Sequence, residues 1–255
     1  MRLILECHPA IFCLDEGKSY AALRQGSVPH VTPTTLVGFK IPRWTEQLTD
    51  EVMVDDGEED AKRFYYGENL LFLLRDVRDT IVSMFNLGLA PSTWCQLWVP
   101  RIINAKVARD HEFRLRYADD LKFIDSCPNP LIGFAALYWK YKTESFFTLR
   151  NQGFPVLGIS YEGLTNAPQQ TLERVTAHLE LPFNENLLHH NIFPHTEIEN
   201  GVAIGNTNPA RSIDASSVGQ GLTFFSNHDL RIIDHIAAPL QKKLDAFLVT
   251  DQLTS

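Results

Sequence analysis

The apolar run Leu70-Leu71-Phe72-Leu73-Leu74 stops at the charged turn Arg75-Asp76-Val77-Arg78-Asp79 and restarts with a helical spacing of apolar residues. Such a run predicts a strand buried on both faces of a parallel sheet, with Gly67, Glu68 and Asn69 marking its start. Arg75 then emerges at the strand's carboxyl end, the edge where open α/β sheets bind ligands. Asp79 is placed to cap the following helix, which ends near Gly88, and Ser83 falls in its second turn. Arg75 and Ser83 can therefore converge on one phosphate; the plain alternative is a buried strand followed by a solvated charge cluster. A second apolar run, Pro155 to Ser160, predicts another buried strand leading into Tyr161-Glu162-Gly163-Leu164. Pro168 suits a first helical turn, and Leu172, Val175 and Leu179 form an apolar stripe ahead of Leu181-Pro182-Phe183. Residues Leu131 to Leu149 carry Phe134, Leu137, Tyr138, Tyr141, Ser145 and Thr148 at helical spacing and read as core. The last helix opens on a capping-box-like Ser226-Asn227-His228-Asp229, buries Leu230, Ile233, Ile236, Leu240, Leu244 and Phe247, and meets a kink at Pro239. Asn206 to Gly221, rich in small polar residues, reads as a long loop.

Composition changes this picture little. The 255 residues, 44% hydrophobic, suffice for one domain with a substantial core, so 1–255 is read as a single domain. A net charge of -8 makes nucleic acid a poor partner for the whole molecule. No segment approaches the roughly 20 apolar residues of a membrane span and no secretory leader is present, so the expectation is cytoplasmic, unless a leader lies upstream. The cysteines, Cys7, Cys13, Cys95 and Cys127, lack paired short spacing, which predicts reduced thiols with no zinc or redox role. The histidines form no His-Glu-x-x-His pattern, and the adjacent His189 and His190 read as structural or surface residues, so no metal is expected. Asp50 to Asp60 holds seven carboxylates in eleven residues and reads as a solvated loop. Arg101, Lys106, Arg109, Arg114, Arg116 and Lys122 read as a solvated helix face, with an acidic acceptor as the sharper alternative.

Arg75-Asp76-Val77-Arg78-Asp79 with Ser83 resembles the 3′-phosphate site of sulfotransferases that use 3′-phosphoadenosine-5′-phosphosulfate (PAPS). The resemblance implies that Arg75 and Ser83 grip that phosphate. Tyr161-Glu162-Gly163-Leu164 resembles the family's Tyr-Glu-Asp-Leu element, which implies that Tyr161 lies near the adenosine; Gly163 departs from the pattern. Packing of Tyr161 on the sheet is the plain alternative. Cys7-His8-Pro9-Ala10-Ile11-Phe12-Cys13-Leu14-Asp15-Glu16 resembles the His-Pro-x-x-x-Cys-x-x-Glu stretch of tyrosylprotein sulfotransferases and their bacterial relatives, and places Glu16 on the catalytic base. Lys18 falls where those enzymes carry an active-site arginine. Lys40, in Lys40-Ile41-Pro42, matches a Lys-x-Pro element whose lysine neutralises charge growing on the sulfuryl and bridging oxygens. A surface Glu16 and a snorkelling Lys40 are the plain alternatives. Arg211, in the long loop, is the candidate basic residue near the 3′-phosphate, with a solvated arginine as the alternative.

The family's glycine-rich 5′-phosphosulfate loop has no counterpart in the sequence; relatives carry it two or three helical turns before the His-Pro element, which corresponds to a place upstream of Met1. Met1 to Glu6 is thus expected to end a helix, and the sequence as it stands is expected to transfer sulfate poorly. The fold implied is a three-layer α/β domain with a parallel sheet flanked by helices, of the P-loop-like sulfotransferase type and lacking its first strand. The function implied is sulfuryl transfer from PAPS to an acceptor hydroxyl, with a carbohydrate, a small metabolite and a peptide tyrosine all open as acceptors and the oligomeric state open. A pseudoenzyme that binds nucleotide without turnover is one alternative. A nucleotide kinase, with Arg2–Leu5 as first strand and Gly17-Lys18-Ser19 ending a phosphate loop, is a weaker one, since Phe12 stands where that loop needs glycine.

Overall fold

The computed structural model describes residues 1–25, 30–41, 69–89, 92–193, 198–199, 202–203 and 210–253. The acidic stretch Asp50–Asp60 and the first part of the Asn206–Gly221 loop lie outside them. In chain order the elements are α1 (Arg2–Leu5), β1 (Ile11–Leu14), α2 (Glu16–Gln25), β2 (Leu36–Phe39), β3 (Leu70–Leu74), α3 (Val77–Asn86), β4 (Gly88–Leu89), β5 (Ser92–Thr93), α4 (Trp94–Leu97), α5 (Val99–Arg109), α6 (His111–Arg116), α7 (Ala118–Ser126) and α8 (Pro130–Asn151). Then follow β6 (Val156–Ser160), α9 (Tyr161–Asn166), α10 (Pro168–His178), a 3₁₀ helix over Glu185–Ile192, β7 (Ile198–Glu199), β8 (Val202–Ala203), α11 (Gln220–Phe224) and α12 (Asn227–Leu253). The fold is helix-rich α/β with small parallel sheets. The described residues divide into two compact units: those up to position 41, 69–73 and 148–215 form one, those in 74–147 and from 216 onward the other.

In the first unit, β1 pairs in parallel with β2, with Ile11 opposite Leu36 and Leu14 opposite Phe39. Gly38 lies opposite Cys13, and a Cβ there would stand 2.9 Å from Cys13 Sγ, so a side chain at this position would force the Cys13 thiol to shift. β3 and β6 form a second ladder, tied at one end by Leu70 N donating to Pro155 O at 2.9 Å. Leu5, Ile11, Ile159 and Val175 make a common core cluster, against which Leu71, Leu157, Leu179 and Leu181 pack. One helix turn (α1), the strands β1, β3 and β6, and α10 thereby share a single apolar interior, the arrangement that buries a strand's faces under helices. The expected burial of β3 on both faces does not hold: Leu73 is 44% exposed, and β6 is the neighbour that pairs with it among the described residues.

Two local outcomes discriminate between the readings of the amino terminus. Arg2–Leu5 is helical, and residues 12–14, which a phosphate loop ending at Gly17-Lys18-Ser19 would span, belong to strand β1. Neither the strand nor the loop needed by the kinase alternative is present there.

In the second unit, α3 starts at Asp76 and not at Asp79. The Asp76 carboxylate accepts from Arg78 N at 2.8 Å and Asp79 N at 3.3 Å, which satisfies two amides of the first helical turn. Val77, Ile81, Val82 and Met84 bury the apolar face of α3. α12 begins as its sequence indicated: Ser226 Oγ accepts from Asp229 N at 3.2 Å and donates to Asp229 Oδ2 at 2.7 Å. Its buried face includes Ile233, Ile236, Leu240 and Leu244, and Pro239 lies inside the helix.

The basic stretch is not uniformly solvated. Lys106 is 0% exposed, 3.8 Å from Asp110, with its ammonium 5.9 Å from the ring centroids of both Phe113 and Tyr141. A helical face that reads as charged in sequence has turned one lysine inward, where a carboxylate and two π faces replace water. Arg116 instead pairs with Glu144 at 3.1 Å and remains largely exposed.

Candidate functional site

Glu16 and Lys40 follow the carboxyl ends of the parallel strands β1 and β2, whose last residues Leu14 and Phe39 are register partners. Parallel strands end together on one edge, so residues just beyond them are brought side by side. Lys40 Nζ lies 3.8 Å from Glu16 Oε2. Glu16 is held in place as the first residue of α2. Asp15 supplies the cap, its Oδ1 accepting from Lys18 N at 2.8 Å. Lys40 is held by its backbone: its N–H donates to Ser19 Oγ at 2.8 Å, and that hydroxyl is oriented toward Leu14 O at 3.3 Å. Ser19 is fully buried and joins strand end to helix, a role its sequence neighbours do not disclose.

The rest of the His-Pro segment is scaffolding. His8 Nδ1 accepts from Ala10 N at 3.1 Å, which puts the ring proton on Nε2, and Nε2 donates to Pro182 O at 3.0 Å. The buried imidazole thus pins the turn before β1 to the Leu181-Pro182-Phe183 segment. Lys18 Nζ pairs with Asp15 at 2.9 Å. Burial pushes the Asp15 carboxyl up, but hydrogen bonds from the Lys18 side chain and amide outweigh it and hold the group below its ordinary value.

Tyr161 is the first residue of α9, directly after the strand-end Ser160, whose Oγ caps the helix by accepting from Gly163 N at 3.0 Å and donates to Glu162 at 3.0 Å. Arg211 donates to both carboxylate oxygens of Asp214, at 2.7 and 2.5 Å. This pairing raises the guanidinium above its ordinary value, with a smaller contribution from Tyr161. A cavity of about 590 Å³ lies at the amino end of α10, between Pro168, Gln169 and Glu173 on one side and Leu188, Ser212 and Ile213 on the other. Ser212 and Ile213 of the Arg211–Asp214 turn line it, and none of the candidate residues does.

In the second unit, Arg75 follows β3. Its carbonyl accepts from Trp139 Nε1 at 3.1 Å and its guanidinium donates to Ser217 O at 2.7 Å. Ser83 is exposed on α3, one turn beyond Asp79 and therefore on the same helix face. Arg78 pairs with Asp234 of α12 at 2.6 Å. Asp79, expected as the cap, is instead 2% exposed, and its carboxylate accepts from Gly219 N at 2.7 Å and Gly221 N at 2.8 Å. Glu16 and Lys40 are brought together in the first unit, which also holds Tyr161 and Arg211; Arg75 and Ser83 belong to the second.

No family model matches this sequence, and no curated protein matches it. Among solved structures, the chain is similar to the sulfotransferase domain from the curacin biosynthetic pathway, with 17% sequence identity, a TM-score of 0.48 and 86% of this chain covered. The matched region spans 66% of the length of that chain. Among the described residues, no helix is long and apolar enough to cross a membrane.

Proposed function

We propose that this protein is a sulfotransferase that moves a sulfuryl group from PAPS to an acceptor hydroxyl. The observation that carries the proposal is the Glu16–Lys40 pair, 3.8 Å apart beyond the carboxyl ends of two register-paired parallel strands. Sulfuryl transfer needs a base for the acceptor proton and a cation for the charge that grows as the bridging sulfur–oxygen bond breaks. In the proposed reaction Glu16 takes the hydroxyl proton while the acceptor oxygen bonds to sulfur, and Lys40 neutralises the bridging oxygen as 3′,5′-adenosine bisphosphate leaves. By the same resemblance Arg75 and Ser83 are the proposed ligands of the 3′-phosphate, Tyr161 the residue near the adenosine, and Arg211 a candidate basic residue for the 3′-phosphate. The resemblance of these segments to PAPS-dependent enzymes supports the assignment of the donor. Carbohydrates, small metabolites and peptide tyrosines are all acceptors of the right chemistry.

The test is transfer of labelled sulfate from PAPS to a panel of hydroxyl acceptors by wild type and Glu16→Gln. Transfer by the wild type that falls to background in Glu16→Gln supports the proposal. Transfer undiminished by the substitution removes Glu16 from the mechanism, and nucleotide binding without any transfer favours a protein that binds the donor without turnover.

A further inference from the structure

We propose that Asp79 is a positioning residue: its buried carboxylate clamps the Ser216–Gly221 loop onto α3, and the loop in turn fixes the guanidinium of Arg75. The proposal rests on the reading of Arg75 as the ligand of a nucleotide phosphate. Asp79 lies in the first turn of α3, yet its side chain turns inward and makes its two hydrogen bonds to backbone amides about 140 positions further along the chain, Gly219 N and Gly221 N, at 2.7 and 2.8 Å. A carboxylate that is 2% exposed is costly to bury unless donors meet it, and two amides converging on one carboxylate meet it well. The helix amino terminus adds a favourable dipole.

The loop is shaped for this contact. Gly219 has φ of +78°, the left-handed conformation that lets amides on both sides of Gln220 face one carboxylate. Gly221 is pressed against the helix: a Cβ there would stand 2.4 Å from Arg78 Cβ and 2.7 Å from the Arg78 carbonyl carbon. Beyond it, Phe224 and Phe225 of the α11 end pack on Phe85 of α3, with ring centroids 6.1 and 6.3 Å away. Two residues before Gly219, Ser217 O accepts the Arg75 guanidinium at 2.7 Å. Arg75 is thus held at its carbonyl by Trp139 and at its head by a loop whose own anchor is Asp79. Without Asp79 the two glycine amides return to water, the loop lifts and Arg75 loses the acceptor that aims it.

Asp79→Ala and Gly221→Ala break the same contact from opposite sides, so both are measured, along with Asp79→Asn, which keeps one acceptor oxygen. Hydrogen exchange should show amides of residues 217–221 losing protection in both alanine variants while α8 and the body of α12 keep theirs. Calorimetry should show affinity for 3′,5′-adenosine bisphosphate falling 10- to 100-fold in each, with an intermediate loss in Asp79→Asn and little change for 5′-AMP. The double variant should be no worse than either single, because both act through one contact. Unchanged exchange at residues 217–221 in Gly221→Ala overturns the clamp, and a loosened loop with unchanged bisphosphate affinity overturns its link to Arg75. If the wild type does not bind the bisphosphate at all, it is the reading of Arg75 that fails, and the positioning role fails with it.

Discussion

Lys40 Nζ stands 3.8 Å from Glu16 Oε2, across the ends of two parallel strands that pair at Leu14 and Phe39. The separation exceeds a hydrogen bond, and Lys40 is 40% exposed, so the pair adds at most about 1 kcal/mol to stability. In the proposed reaction its value is to place a base and a cation side by side. Glu16→Gln should lower kcat by about 10²–10⁴-fold, and Lys40→Ala should lower it by about 10²–10³-fold. Nucleotide affinity should change little in either, which calorimetry with 3′,5′-adenosine bisphosphate checks. A large loss of affinity with intact kcat would assign both residues to ground-state binding.

The cap of α3 makes a pH-dependent prediction. Burial raises the Asp76 carboxyl above its ordinary value of 3.8, against the lowering effect of the Arg78 and Asp79 amides. A carboxyl raised in the folded state contributes most to stability below 3.8, and that contribution is lost as pH rises through the folded-state value. Asp76→Asn keeps a cap acceptor and removes the titration, so its stability relative to wild type should improve from pH 3.8 upward and then level off. Asp76→Ala should cost about 1 kcal/mol through the lost cap. Urea denaturation across the acid range measures both, and an Asn variant that instead loses stability relative to wild type as pH rises would contradict the assignment.

Lys106 and Asp110 should behave as a buried pair. Asp110 also caps α6, accepting from Phe113 N at 2.9 Å. Asp110→Ala therefore strips the fully buried ammonium of a carboxylate and the helix of its cap, and should cost about 3–5 kcal/mol. Lys106→Met places an apolar chain between Phe113 and Tyr141 and should cost clearly less. Denaturant unfolding of the two variants decides, and the reverse ranking would show that Lys106 is not held as a charge.

Thiol chemistry gives a further check. Burial pushes both the Cys13 and the Cys95 thiols up to about 12. Both should resist alkylation at neutral pH in the native protein and react on unfolding, as thiolate is the reactive form. Mass-resolved labelling measures this site by site, and rapid native labelling of the fully buried Cys95 would contradict its placement.

What the sequence disclosed was mainly local. The apolar runs at Leu70–Leu74 and Val156–Ser160, the Ser226 start of α12 and the Pro168 start of α10 all form as their spacing and cap residues indicate. Leu73 departs because an apolar run reports the tendency to be strand, whereas burial depends on which neighbours pair with it. Asp79 departs because two aspartates flank Arg78, and a cap pattern does not say which one takes the amides; Asp76 takes them, and Asp79 serves a loop about 140 residues away. Lys106 departs because Tyr141, which comes from α8 far along the chain, joins the nearby Asp110 and Phe113 in enclosing its ammonium, and no local spacing announces that contact. The Glu16–Lys40 juxtaposition follows from parallel register, which neither segment carries alone.

The most direct test of the proposed donor is titration calorimetry of 3′,5′-adenosine bisphosphate against 5′-AMP, on wild type and Arg75→Ala. The proposed site requires the bisphosphate to bind more tightly than 5′-AMP in the wild type, and Arg75→Ala to erase about 1.5–3 kcal/mol of bisphosphate affinity, the range for a charged hydrogen bond, while leaving 5′-AMP unaffected. Equal affinity for the two nucleotides, or a bisphosphate affinity indifferent to Arg75, would contradict a PAPS-type site in this protein.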